Sequence, residues 1–171
     1  MTSKFFFISN KVKKFRKTFE VDGDKSISIR WLLLTSQATG ISRAKNLLRS
    51  DDVLSAIECL KKLGVRIKMS KKECIVFGRG INGFKYKKNL ILNAGNSGTL
   101  GRLIIGLLIH SKGKIKIIGD KSLSKRDFSR ITKPLKKFGA KIFSRNGKLP
   151  VLIEGTNKTR PISYIENKGS A

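Results

Sequence analysis

The chain has 171 residues, 39% of them hydrophobic, which suits one ordinary domain with a real core and excludes both two large domains and a disordered polymer. Its 38 Lys plus Arg stand against 11 Asp plus Glu, a formal charge of +27 that makes polyanions the natural partner class. Cys59 and Cys74 fit no zinc spacing and His110 is the only histidine, so no metal site is expected, and a reduced cytoplasmic protein with two structural thiols is the economical reading.

In chain order, Phe5-Phe6-Phe7-Ile8 reads as a strand, being too short for a signal-peptide core or a membrane span. Asp22-Gly23-Asp24-Lys25-Ser26-Ile27-Ser28-Ile29-Arg30 then sets a glycine and small polar residues ahead of a helix-like run with an arginine near its start. Residues 43–48 read as a strand. Ser50-Asp51-Asp52-Val53 opens a helix, with Ser50 as N-cap, acids in the first turn, and Val53, Ala56, Ile57, Leu60 and Leu63 at helical spacing. Lys61-Lys62 complement the dipole at its end, Gly64 supplies a left-handed cap, and strands follow at 66–69 and 74–77.

The pattern then repeats. Asn93-Ala94-Gly95-Asn96-Ser97-Gly98-Thr99-Leu100-Gly101-Arg102 again leads from glycine and small polar residues into an apolar helix, with Thr99 as a candidate cap and His110 at the polar end. Gly23 and Gly95 stand 72 positions apart, as do Arg30 and Arg102. A strand at 114–118 corresponds to 43–48. A helix starting near Lys125-Arg126-Asp127-Phe128 carries Phe128, Ile131, Leu135 and Phe138, each 75 positions after Val53, Ala56, Leu60 and Leu63. Leu135-Lys136-Lys137-Phe138-Gly139 repeats Leu60-Lys61-Lys62-Leu63-Gly64, and strands at 141–143 and 151–154 close the second unit. Pro161-Ile162-Ser163-Tyr164-Ile165 reads as the first strand of a third unit. A small αβ module used more than once is the reading, its copies packed around shared helices.

Backbone N–H groups at a helix start, with a cation beside them, bind anions. Two such starts imply ligands carrying phosphate and carboxylate. Lys25 would be one solvated lysine among many, except that it stands between Gly23 and a helix-like run. The other lysines spread over turns and solvent faces, as in Lys11-Val12-Lys13-Lys14 and Lys85-Tyr86-Lys87-Lys88, without forming one stripe. With no RNP motif, zinc finger or basic zipper, a basic nucleic-acid-binding α/β module is kept only as the non-enzyme alternative.

These motifs resemble those of the 5-enolpyruvylshikimate-3-phosphate synthase family of enolpyruvyl transferases. Asp22 to Arg30 resembles the family's first substrate motif, Asn96-Ser97-Gly98-Thr99-Leu100-Gly101-Arg102 its Asn-x-Gly-Thr-x-x-Arg loop, and Gly119-Asp120-Lys121-Ser122-Leu123-Ser124-Lys125-Arg126 its third motif. The match is collinear from about Val21 to Ala171. The sister family acting on UDP-N-acetylglucosamine carries Lys-Asn in the first motif, from which Lys25-Ser26 departs.

The resemblance implies an α/β fold of repeated βαβαββ units, an incomplete inside-out α/β barrel. Residues 1–20 would hold strands belonging in part to another domain, and 21–171 most of one domain, with units at about 21–90, 91–158 and 159–171. An N-terminal fragment, inactive alone, is the expectation. The implied reaction moves the enolpyruvyl group of phosphoenolpyruvate to the 5-hydroxyl of shikimate 3-phosphate, with no cofactor, as a cytoplasmic monomer without nucleic-acid or membrane partners. By the same resemblance Lys25 touches both substrates and shares in proton transfer. Ser26, Arg30 and Ser170 hold shikimate 3-phosphate, and Asn96, Gly98, Thr99 and Arg126 hold phosphoenolpyruvate. Arg102 reads as structural, and Asp51 and Asp52 as helix-start residues.

Overall fold

A computed structural model describes residues 16, 18, 19, 21–111 and 113–166. The strand expected at residues 5–8, and Ser170, lie outside them. The order is α1 (Lys25–Ser36), β1 (Thr39–Lys45), α2 (Asp51–Lys62), β2 (Arg66–Met69), β3 (Glu73–Arg79), β4 (Leu90–Asn93), α3 (Gly98–Leu107), β5 (Lys114–Ile118), a 3-10 turn (Leu123–Lys125), α4 (Ser129–Lys137), β6 (Lys141–Arg145) and β7 (Lys148–Glu154).

The repeat is visible in the sheets. Three strands in the order β1-β3-β2, all antiparallel, correspond to β5-β7-β6 of the second sheet, also antiparallel. The second sheet adds β4 parallel to β5, through the β4-α3-β5 crossover. Inward-facing Cys74 and Val76 of one sheet, and Leu92, Ile115, Ile117, Val151 and Ile153 of the other, close on Ile29, Leu32 and Leu33 of α1 and Leu100, Ile104 and Ile105 of α3. Alternation along β5 and β7 puts their polar residues on the opposite face.

Both units end their second helix with the same hydrogen bonds. Gly64 N–H donates to Lys61 O and Val65 N–H to Leu60 O; Gly139 N–H donates to Lys136 O and Ala140 N–H to Leu135 O. Each glycine has positive φ, +84° and +109°, the geometry of a Schellman cap. A second constraint was not legible in the sequence. A later segment crosses each cap, Lys85 N–H donating to Leu63 O and Arg160 N–H to Phe138 O, both at 2.9 Å. A Cβ on Gly64 would lie 2.5 Å from Lys85 O, and one on Gly139 2.3 Å from Lys158 O.

Four expectations are corrected. The strand expected at 43–48 runs Thr39–Lys45, because Asn46 has φ +53° and turns the chain out of the ladder. Ser50 stands at the N-cap of α2, but its hydroxyl makes no capping bond and is buried without a hydrogen-bond partner. The helix expected from Lys125 starts at Ser129, after the 3-10 turn; Phe128 is fully buried ahead of it, while Ile131, Leu135 and Phe138 are only partly covered. The matching face of α2 is buried because α2 packs against α1, α3, β2 and β4, whereas α4 meets α3 and β6. Residues 161–166 form no strand, since no described strand runs alongside to take up their backbone groups.

Candidate active site

The two helix starts are capped by different chemistry. Asp24 caps α1, its Oδ1 accepting from Ile27 N–H at 2.6 Å, so Lys25 becomes the first helical residue. Ser97, fully buried, caps α3, its Oγ accepting from Leu100 N–H at 3.3 Å; the cap is Ser97 and not Thr99. Gly98 and Thr99 are then the first two helical residues, whose N–H groups no helix satisfies internally. The two motif glycines also differ in role. Gly23 presses on neighbouring backbone, its absent Cβ falling 2.2 Å from Asn46 O, while Gly95 has φ +56° and turns the chain into α3.

The 3-10 turn brings Arg126 to the start of α3. Asp120 organises that turn: its N–H donates to Gly95 O at 2.8 Å and its Oδ1 accepts from Leu123 N–H at 2.6 Å. Arg126 follows as the turn's C-cap and is not in the first turn of α4, where a cation would oppose the helix dipole. Its Nη2 donates to Asn96 Oδ1 at 2.8 Å. Arg102 reaches the same place from inside α3, donating to Asp127 O at 3.1 Å, with its guanidinium 5.4 Å from the Phe128 ring centroid. A Cβ on Gly98 would stand 3.0 Å from Arg102 Nη1 and 3.1 Å from Arg126 Nη1.

Lys25, Asp52, Asn96, Gly98, Thr99, Arg102 and Arg126 line one cleft of about 360 Å³. Lys25 Nζ lies 3.1 Å from Asp52 Oδ2, with side-chain exposures of 50% and 18%. Three cations, one carboxylate and a helix N-terminus thus face a common space, which suits a ligand with more than one negative charge. Arg126 also lines an adjoining open recess with Asp120, Lys121, Ser122 and Lys125.

Of the residues expected at the site, the structure gathers Lys25, Asn96, Gly98, Thr99 and Arg126. Ser26 and Arg30 share one face of α1 at i, i+4 spacing, the first half-buried and the second exposed, and neither lines the cleft. Sequence reasoning missed Asp52 and undervalued Arg102. An arginine one turn inside an apolar helix was a signal for the latter; for Asp52, nothing in Ser50-Asp51-Asp52 separates it from Asp51.

His110 is exposed and its Nδ1 lies 2.8 Å from Thr156 O, in keeping with a solvent-facing residue after α3. Both cysteines are free and buried. Burial pushes the Cys59 thiol up to about 11 and raises that of Cys74, which makes both poor nucleophiles. Among the described residues no group of His, Cys, Asp and Glu could hold a metal ion, and no helix is long and apolar enough to cross a membrane.

The family model for EPSP synthase (3-phosphoshikimate 1-carboxyvinyltransferase) matches residues 9–171. The 3-phosphoshikimate 1-carboxyvinyltransferase of Vesicomyosocius okutanii is 40% identical over 159 residues, covering 92% of this chain and 36% of that protein. That of Alkaliphilus metalliredigens is 45% identical over 152 residues, covering 88% and 36%. Among solved structures, EPSP synthase from Acinetobacter baumannii aligns with a TM-score of 0.82 and 36% sequence identity, over 90% of this chain and 35% of that one. The chain therefore spans about a third of the length of these relatives. With the match running through both helix starts and the turn that carries Arg126, the chain belongs to the EPSP synthase family.

Proposed function

We propose that this chain forms one wall of the active site of a 3-phosphoshikimate 1-carboxyvinyltransferase, serving aromatic amino-acid biosynthesis as a cytoplasmic, monomeric enzyme. The shikimate 3-phosphate 5-hydroxyl oxygen adds to C2 of phosphoenolpyruvate while a proton goes to C3. The resulting tetrahedral intermediate loses phosphate as a C3 proton leaves, which restores the double bond on the new ether. Positioned cations and fixed N–H donors stabilise the charge on phosphate and carboxylate through both steps. In this reading Lys25, Asn96, Gly98, Thr99 and Arg126 meet phosphoenolpyruvate, Ser26, Arg30 and Ser170 meet shikimate 3-phosphate, and Lys25 touches both and shares in proton transfer. Residues 21–171 are read as most of one domain.

The observation that carries the reading is the convergence of Lys25, Arg126 and the α3 start on one cleft. Lysine supplies a compact cation, and arginine a fork that matches an anion's oxygens. Calorimetric titration of the chain with each substrate tests it. Binding of phosphoenolpyruvate that is abolished in Arg126→Ala, and of shikimate 3-phosphate that is abolished in Arg30→Ala, is the expected result. Unchanged affinities in both variants would reject the assignment. No turnover is expected from these 171 residues, because they span only about a third of the length of the relatives; phosphate release at an enzyme-like rate would overturn that.

A further inference from the structure

Among the described residues, Asp52 is the one carboxylate lining a cleft otherwise made of Lys25, Asn96, Arg102, Arg126 and the start of α3. Compensation of the α2 dipole does not explain its place there, since exposed Asp51 serves that end equally from the same first turn. What distinguishes Asp52 is its 3.1 Å contact with Lys25 Nζ from a side chain only 18% exposed.

We propose that Asp52 is the positioning residue of this cleft: it holds the Lys25 ammonium toward Gly98 and Thr99, and an incoming phosphate or carboxylate must take Lys25 over from it. The inference rests on the reading of the cleft as an anion site. Lys25 is a point charge on a flexible stem and half exposed, so without a partner its ammonium would spread over many rotamers. Removing the Asp52 charge releases Lys25 from its fixed direction, but for a free anion the loss of a competing carboxylate 3.1 Å from the ammonium outweighs that freedom, so the anion binds more tightly.

The test uses the ¹⁵N-labelled 171-residue chain. A hydrogen-bonded lysine ammonium gives an ¹H–¹⁵N side-chain signal, assigned to Lys25 by its disappearance in Lys25→Arg. This signal is expected in the parent chain and in Asp51→Asn, to vanish in Asp52→Asn, and to return in Asp52→Glu. Inorganic phosphate, followed at the Gly98 and Thr99 amides, is expected to bind Asp52→Asn about three- to tenfold more tightly than the parent, with Asp51→Asn within about twofold of the parent. A Lys25 signal that persists in Asp52→Asn, or phosphate affinity no greater there than in Asp51→Asn, would overturn the proposal. If phosphate leaves the α3 amides unmoved in every variant, the anion-site reading fails, while the ammonium signal still decides whether Asp52 holds Lys25.

Discussion

Gly98 occupies the point where two guanidinium groups and a helix start converge. A methyl group there would stand 3.0 Å from Arg102 Nη1 and 3.1 Å from Arg126 Nη1, tight enough to push both by a few tenths of an ångström. Because the obstacle is the mobile end of two side chains, the fold tolerates Gly98→Ala. The expected outcome is a melting temperature within about 3 °C of the parent and phosphoenolpyruvate affinity lowered about tenfold, read by calorimetry. Lys25→Ala removes a cation from the same space and is expected to weaken both substrates by about tenfold or more. Equal affinity in Lys25→Ala would show that the lysine is only Asp52's surface partner. Residue identity at these places was readable in the sequence because the motif strings are contiguous. Asp52 was not, because its distinction from Asp51 lies wholly in which one points at Lys25.

Helix ends were the most legible elements. Gly64 and Gly139 were expected as left-handed caps, and the hydrogen bonds at both are of that kind. The crossing segments at Lys85 and Lys158 raise the penalty of a side chain beyond the backbone strain alone. Gly64→Ala is expected to cost about 2–4 kcal/mol in chemical denaturation, against about 1 kcal/mol for a cap in open solvent. The start of α4 was read less well, because Asp127 works there through its side chain. Its Oδ1 accepts from Ser129 N–H at 2.7 Å and its Oδ2 from Ser129 Oγ at 2.6 Å, which lower its pKa below the usual carboxylate range. A depressed folded-state pKa gives stability that is present above the unfolded value and lost as pH falls through the folded one. Asp127→Ala is therefore expected to be less stable at neutral pH by about 0.5 kcal/mol, solvent screening at this exposed carboxylate keeping the loss small, with the gap closing in acid. A gap that does not change with pH would mean that the carboxylate charge has no part in it.

At the scale of the molecule, Cys59 sets an alkaline limit. Its thiol is pushed up from the ordinary thiol value of about 9 to about 11, first by burial, partly offset by Lys62 and by its bond to Asn93 O. A raised folded-state pKa means that the native chain binds more protons than the unfolded one between those values, so stability falls as pH rises from about 9 to 11. The loss attributable to this thiol is about 2–3 kcal/mol at the upper end, and Cys59→Ser should flatten that part of the profile. The sequence makes the repeated αβ order and the caps at Gly64 and Gly139 legible, because each depends on residues within a turn or two of one another, but it misplaces the first strand, the start of α4 and the strand expected at 161–165. It left the coverage of α4 undecided, since burial of Ile131, Leu135 and Phe138 depends on which elements stand opposite. Which charges share a cleft is set by packing between elements far apart in the chain. Lys25, Asp52, Arg102 and Arg126 come from α1, α2, α3 and the end of a 3-10 turn, and among 38 cations no local pattern can single out those that packing turns toward one space.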